Sequence, residues 1–126
     1  MISRSVDATD APASPYFAQA VEVVGARRLL YTSGLTPTEG DWVAPEGFEQ
    51  QARLAWRNLF AQLTAADMTP DNLVKVTIFL ADRAHRGASA DVYDAVLEGR
   101  RIAVSTIIAG LADPRWLIEI EAVAAD

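Results

Sequence analysis

Phe48, Ala52, Ala55, Leu59, Leu63 and Ala66 recur at intervals of three and four residues, with Gln50, Arg53, Arg57 and Gln62 on the other faces. A helix of 3.6 residues per turn gathers those apolar positions into one stripe, so the spacing predicts a long amphipathic helix over 48–66. Such a stripe needs an apolar surface to lie on. The following segment supplies one: after a turn at Thr69-Pro70-Asp71, Val74, Val76, Ile78 and Leu80 alternate with Lys75, Thr77 and Phe79, the period of a strand with one buried face.

The rest of the chain extends this pairing of helix and sheet. Tyr16 to Val24 and Leu29 to Thr32 are rich in aromatic and β-branched residues, with Gly25 between them, and read as a β-hairpin. Gly34, Pro37, Gly40 and Pro45 punctuate a loop that carries Trp42. Ser89 is the expected N-cap of a second helix with Val92, Tyr93, Val96 and Leu97 as its stripe and Gly99 at its end. Ala103 to Ala109 and Leu117 to Ala124 form the last two strands, divided by a turn at Gly110, Asp113 and Pro114. The order β-β-α-β-α-β-β implies an α+β domain, two helices on one face of a mixed sheet. Residues 1–14 show no periodicity and are expected to be a loose lead-in, leaving 15–126 as a single domain.

Composition excludes several classes of function. With no Cys there is no thiolate nucleophile, disulfide framework or cysteine zinc site, and His85, the lone histidine, removes His-rich metal sites. No apolar run approaches the ~20 residues that cross a bilayer, and no apolar stretch follows Arg4 as in a secretory signal, so no membrane role and a cytoplasmic location are expected. Eleven Lys and Arg against 17 Asp and Glu give a net charge of -6, and only Arg27-Arg28 and Arg100-Arg101 are adjacent basic pairs, which argues against a nucleic-acid partner. There is no P-loop, G-x-G-x-x-G or calcium loop, so no cofactor and no metal are expected.

Three groups of residues offer chemistry. On the last strand Glu119 and Glu121 share a side with Leu117 and Val123, opposite Ile118, Ile120, Ala122 and Ala124. Two carboxylates roughly 7 Å apart at Cβ can divide their charge unequally in a cleft, so that one serves as acid or base. Ser33-Gly34 ends a strand, where glycine admits close approach of a ligand and serine offers a hydroxyl. Ser105-Thr106 places adjacent hydroxyls on opposite faces of a strand, so at most one belongs to any pocket. Each also has a plainer explanation, as a polar sheet face, a turn and ordinary β-propensity. A half-apolar face carrying Phe79, Leu117 and Val123 is costly to leave in water, and is expected to meet another copy of the chain.

The ordered blocks P-Y-F-A-Q-A-V from Pro15, L-L-Y-T-S-G-L from Leu29, L-V-K-V-T-I-F-L-A-D from Leu73, D-V-Y from Asp91 and I-E-I-E-A-V-A from Ile118 resemble the YjgF/Rid family, the reactive intermediate deaminases once called L-PSP endoribonucleases. The resemblance implies a chorismate-mutase-like fold and a homotrimer with its sheets inward and three clefts, each lined by two subunits. It also implies hydrolysis of amino-acid imines or enamines to keto acid and ammonia. In active members an arginine of the penultimate strand holds the substrate carboxylate and a glutamate of the last strand places or protonates the attacking water.

Glu119 matches that glutamate, whereas Val104 stands at the arginine position, followed by Ser105 and Thr106. The tyrosine of the first block falls on Phe17, with Tyr16 beside it. Leu35 replaces the usual glutamine after Ser33-Gly34, and Ala90 replaces the asparagine three before the helix tyrosine. Leaving a bound carboxylate without its cation costs about 2–5 kcal/mol, more than the ~1 kcal/mol of a neutral hydrogen bond from Ser105 or Thr106. The expectation is therefore loss of standard 2-imino acid deamination and preference for a neutral, more apolar small molecule in the cleft between subunits, with hydrolysis of a neutral imine, enamine or related reactive metabolite as the activity left to it. A trimer that binds a metabolite without turnover is the alternative; an active 2-iminobutanoate deaminase or endoribonuclease is the weaker one.

Overall fold

The computed structural model describes residues 1–126. Six strands and two helices follow in the order β1 (Ile2–Val6), β2 (Ala20–Val24), β3 (Leu29–Tyr31), α1 (Phe48–Ala65), β4 (Leu73–Leu80), α2 (Arg86–Leu97), β5 (Ala103–Ile108) and β6 (Ile118–Ala125). The main sheet runs β3-β6-β4-β5, and β1 and β2 form a separate two-stranded ribbon. Only β4 and β5 pair in parallel, joined by the crossover through α2, so the sheet is mixed and the fold α+β, as the sequence predicts.

Both helices cover one sheet face. Trp56, Leu59 and Leu63 of α1 and Val92 and Leu97 of α2 bury against Val76, Ile78 and Leu80 of β4 and Ile118 and Ile120 of β6. Each such side chain contributes about 1.5–3 kcal/mol on leaving water. Buried Gln51 fastens the rim of this core. Its Nε2 donates to the Pro45 and Arg115 carbonyls at 2.7 and 3.0 Å, and its Oε1 accepts from the Leu117 amide at 2.7 Å, fixing the entry to β6.

Four expectations are corrected. The lead-in is not loose: Ile2–Val6 pairs antiparallel with β2, from Ile2 against Val24 to Val6 against Ala20, although its polar sequence gives no apolar rhythm. Nor is there a hairpin between the second and third strands. Gly25, at φ +74°, turns the chain away, and β3 pairs with β6 across nearly the whole sequence. In β4 a register shift between Leu73 and Lys75 buries Leu73 in place of Val74. Ser89 is not a cap; a tight turn at Arg83–His85, capped by Asp82 through the Ala84 amide, runs directly into α2 at Arg86 and leaves Ser89 buried inside the helix.

On the open face, register sets Phe79 beside Glu119 and Thr77 beside Glu121. Glu119 and Val123 are half-buried and Glu121 is exposed, while Ile118, Ile120, Ala122 and Ala124 are buried beneath the helices, which is the division the sequence predicts.

Candidate active site

Beyond β3 the chain continues along β6 without forming a regular strand. Thr32 donates its amide to the Ala122 carbonyl at 3.0 Å, and Leu35 and Ile120 exchange amide and carbonyl at 2.6 and 3.1 Å. Ser33 and Gly34 lie between these anchors, and the Glu119 carboxylate occupies the space a Gly34 side chain would need. A β-carbon on Gly34 would fall 2.7 Å from the Glu119 carboxyl carbon and closer still to Oε2. Burial raises the Glu119 pKa above the ordinary glutamate range, and the neighbouring Glu121 charge adds to the rise.

Ser33, Gly34 and Leu35 also form one wall of a cavity of about 550 Å³, opposite Asn58, Ala61 and Gln62 of α1 and below the exposed Trp42. Asn58 sets this wall by donating from Nδ2 to the Thr36 and Thr38 carbonyls at 3.0 and 2.9 Å.

A second cavity, of about 430 Å³, opens between β5 and α2 and collects Tyr16, Phe17, Ala90, Val104 and Thr106. Val104 and Thr106 lie in register with Val76 and Ile78, so they share the helix-covered side of the sheet. Ser105 lies in register with Thr77 on the open side, where its Oγ accepts a 2.7 Å bond from Lys75 Nζ. The expected site residues thus fall into three places: Glu119 with Ser33, Gly34 and Leu35; Tyr16, Phe17, Ala90, Val104 and Thr106 in the second cavity; and Ser105 apart from both. The two cavities share no lining residue.

Neither arginine before β5 substitutes for the one absent at Val104. Arg100 pairs with Asp71 at 2.6 Å and donates to the Leu97 carbonyl. Arg101 pairs with Asp7 at 3.1 Å and donates to the Ser14 and Phe17 carbonyls at 2.8 and 2.9 Å, holding the wall that carries Tyr16 and Phe17. Asp7 is held below the usual aspartate range chiefly by the Gln19 amide it accepts from, with Arg101 assisting.

Besides Ile78 of β4, sequence reasoning missed four residues of the second cavity, all on α2: Arg86, Ser89, Tyr93 and Asp94. Together with Ala90 they recur at helical intervals on one face of α2, a pattern legible only when the helix begins at Arg86. Burial, with Asp94 nearby, pushes the Tyr93 hydroxyl up to about 12. No helix is long and apolar enough to cross a membrane.

An open sheet face bearing a carboxylate held against a glycine, on two helices and a mixed sheet, defines a small α+β class in which comparisons agree. The family model for Endoribonuclease L-PSP matches residues 8–126, and the chain belongs to that family, which is also called YjgF/Rid. It is 34% identical over 129 residues to the 2-iminobutanoate/2-iminopropanoate deaminase of Mus musculus, covering 98% of this chain and 92% of that one. A RutC family protein of Drosophila melanogaster is 35% identical over 115 residues, covering 90% of this chain and 80% of that protein. Among solved structures, the Rid-family protein YyfB of Yersinia pestis superposes with a TM-score of 0.88 at 28% identity, over 100% of both chains.

Proposed function

We propose that this chain is a divergent Rid-type hydrolase of imines or enamines, working as a homotrimer whose clefts are each built from two copies. The observation that carries this reading is the separation of the site residues. Glu119, Gly34 and Ser33 face outward from one part of the chain, and Phe17, Ala90, Val104 and Thr106 line a different cavity. Each group becomes part of a whole site when a neighbouring copy supplies the other. The open face that would meet that copy carries Tyr31, 70% exposed, and Ile107, 44% exposed, beside half-buried Phe79 and Val123.

The chemistry follows from Glu119. Water adds its oxygen to the imine carbon, the carbon–nitrogen bond breaks, and nitrogen leaves as ammonia. A carboxyl biased toward its protonated form gives a proton to the nitrogen and, once ionised, takes one from the water. Aliphatic Val104 provides no grip for a carboxylate attached to the reacting carbon. The preferred substrate is therefore neutral at that end, and 2-iminobutanoate is turned over slowly.

Ammonia release from a panel of imines and enamines tests the reading. Turnover lost in Glu119→Gln supports it; equal rates in both proteins exclude it. Light scattering tests the trimer, and a monomer at micromolar concentration excludes the shared cleft. The replacement of polar family positions by Phe17, Leu35, Ala90 and Val104 favours a second reading, saturable binding of a small metabolite without turnover. Calorimetric binding combined with no product from any of the panel would establish it.

A further inference from the structure

We propose that Arg86 grips an anionic group of the ligand in the 430 Å³ cavity, and that this group is a single carboxylate remote from the reacting carbon; this rests on the reading above of that cavity as part of the ligand site.

The cations of the chain divide sharply. Arg4, Arg28, Arg53, Arg57, Arg100, Arg101 and Arg115 are paired with carboxylates, and Lys75 is bonded to Ser105. Arg27, Arg83 and Arg86 have no ion pair, and of these only Arg86 lines the cavity. It stands at the first position of α2, where the positive end of the helix dipole disfavours a cation. Asp82 caps the turn that leads into the helix, but no carboxylate pairs with Arg86 itself. An anion bound there meets both the guanidinium and the helix end, so the two repelling charges become one attractive site.

The same cavity wall contains Tyr93, only 6% exposed, whose hydroxyl has no hydrogen-bond partner. That oxygen is itself closed to solvent, so a ligand in the cavity meets the body of the ring and not the hydroxyl. Asp94 lies eight residues beyond Arg86, about 12 Å along the helix axis, so the cavity is positive at one end and negative at the other. A second anionic group on the ligand would meet Asp94, and the chain is already at -6, which favours one carboxylate over a dianionic phosphate.

Position sets the ligand's shape. Val104 is half-buried in the wall, and Arg86 is exposed at the mouth. A carboxylate held by Arg86 therefore sits away from the position where the family resemblance places it, and a cavity of this volume lies in the range that takes ligands larger than a four-carbon acid.

Calorimetry with hexanoate, hexanamide and inorganic phosphate as probes tests the assignment on the intact protein. Hexanoate should bind the wild type about tenfold more tightly than hexanamide, and that preference should vanish in Arg86→Gln and partly persist in Arg86→Lys. Glu119→Gln, read in the same titration, should retain the preference even where turnover is gone, which separates the anion grip from the hydrolase reading. Equal binding of hexanoate and hexanamide, no saturable hexanoate binding, tighter binding of phosphate, or an unchanged preference in Arg86→Gln would each overturn the proposal.

Discussion

Glu119 and Gly34 occupy complementary space: the carboxylate of one lies where the side chain of the other would be. The Leu35–Ile120 backbone pair fixes both, since Gly34 precedes Leu35 and Glu119 precedes Ile120. Gly34→Ala therefore tests the placement of the carboxylate without removing it. The far end of a flexible side chain yields readily, so stability should fall by less than about 1 kcal/mol, while any Glu119-dependent turnover should fall at least about tenfold. Thermal unfolding and ammonia release, measured together, check the separation.

The raised pKa of Glu119 makes a signed prediction about acid stability. In the folded state this carboxyl holds its proton to higher pH than in the unfolded chain, because burial, and then Glu121, oppose its charge. Its contribution is thus greatest below the ordinary glutamate range and is lost as pH rises through the raised folded value. Glu119→Gln should flatten that part of the stability curve, measured by urea unfolding between mildly acidic and neutral pH. A curve of unchanged slope would show that burial does not govern this group.

Gln51 predicts a large effect from a residue far from any chemistry. Replacing it with Leu leaves the Pro45 and Arg115 carbonyls and the Leu117 amide without their shared partner. A loss of about 3 kcal/mol is expected, given ~1–3 kcal/mol for each group stranded out of water and partial recovery by solvent. Chemical denaturation measures it directly.

Val104→Arg should return a cation to the cavity wall. Binding of a small 2-keto acid is expected to strengthen about tenfold or more, through a charge-assisted pair that the valine lacks. Should 2-iminobutanoate hydrolysis also appear, the remainder of the cleft is competent. If binding alone improves, Phe17, Leu35 and Ala90 limit the chemistry as well.

Much of the fold was legible because two periodicities are written clearly. The 48–66 stripe matches α1 to within a residue, and the split of Ile118, Ile120, Ala122 and Ala124 from Glu119 and Glu121 matches β6. What escaped is non-local. A short strand such as Leu29–Tyr31 takes its partner from 92 residues away or more, and Ile2–Val6 is a strand only because β2 lies beside it. The site was half legible for the same reason. Glu119 and Val104 follow from matched motifs, but Arg86 and Ser89 became cavity residues only once α2 was seen to start four residues early.

The pairing of β3 with β6 also bears on how the chain is made. Leu29 and Tyr31 leave the ribosome long before the residues around Ala125 that will pair with them, so an apolar edge strand waits unpaired through most of synthesis. With that partner missing until the end of translation, truncation within β6 is expected to leave β3 unpaired and to favour aggregation over a smaller fold.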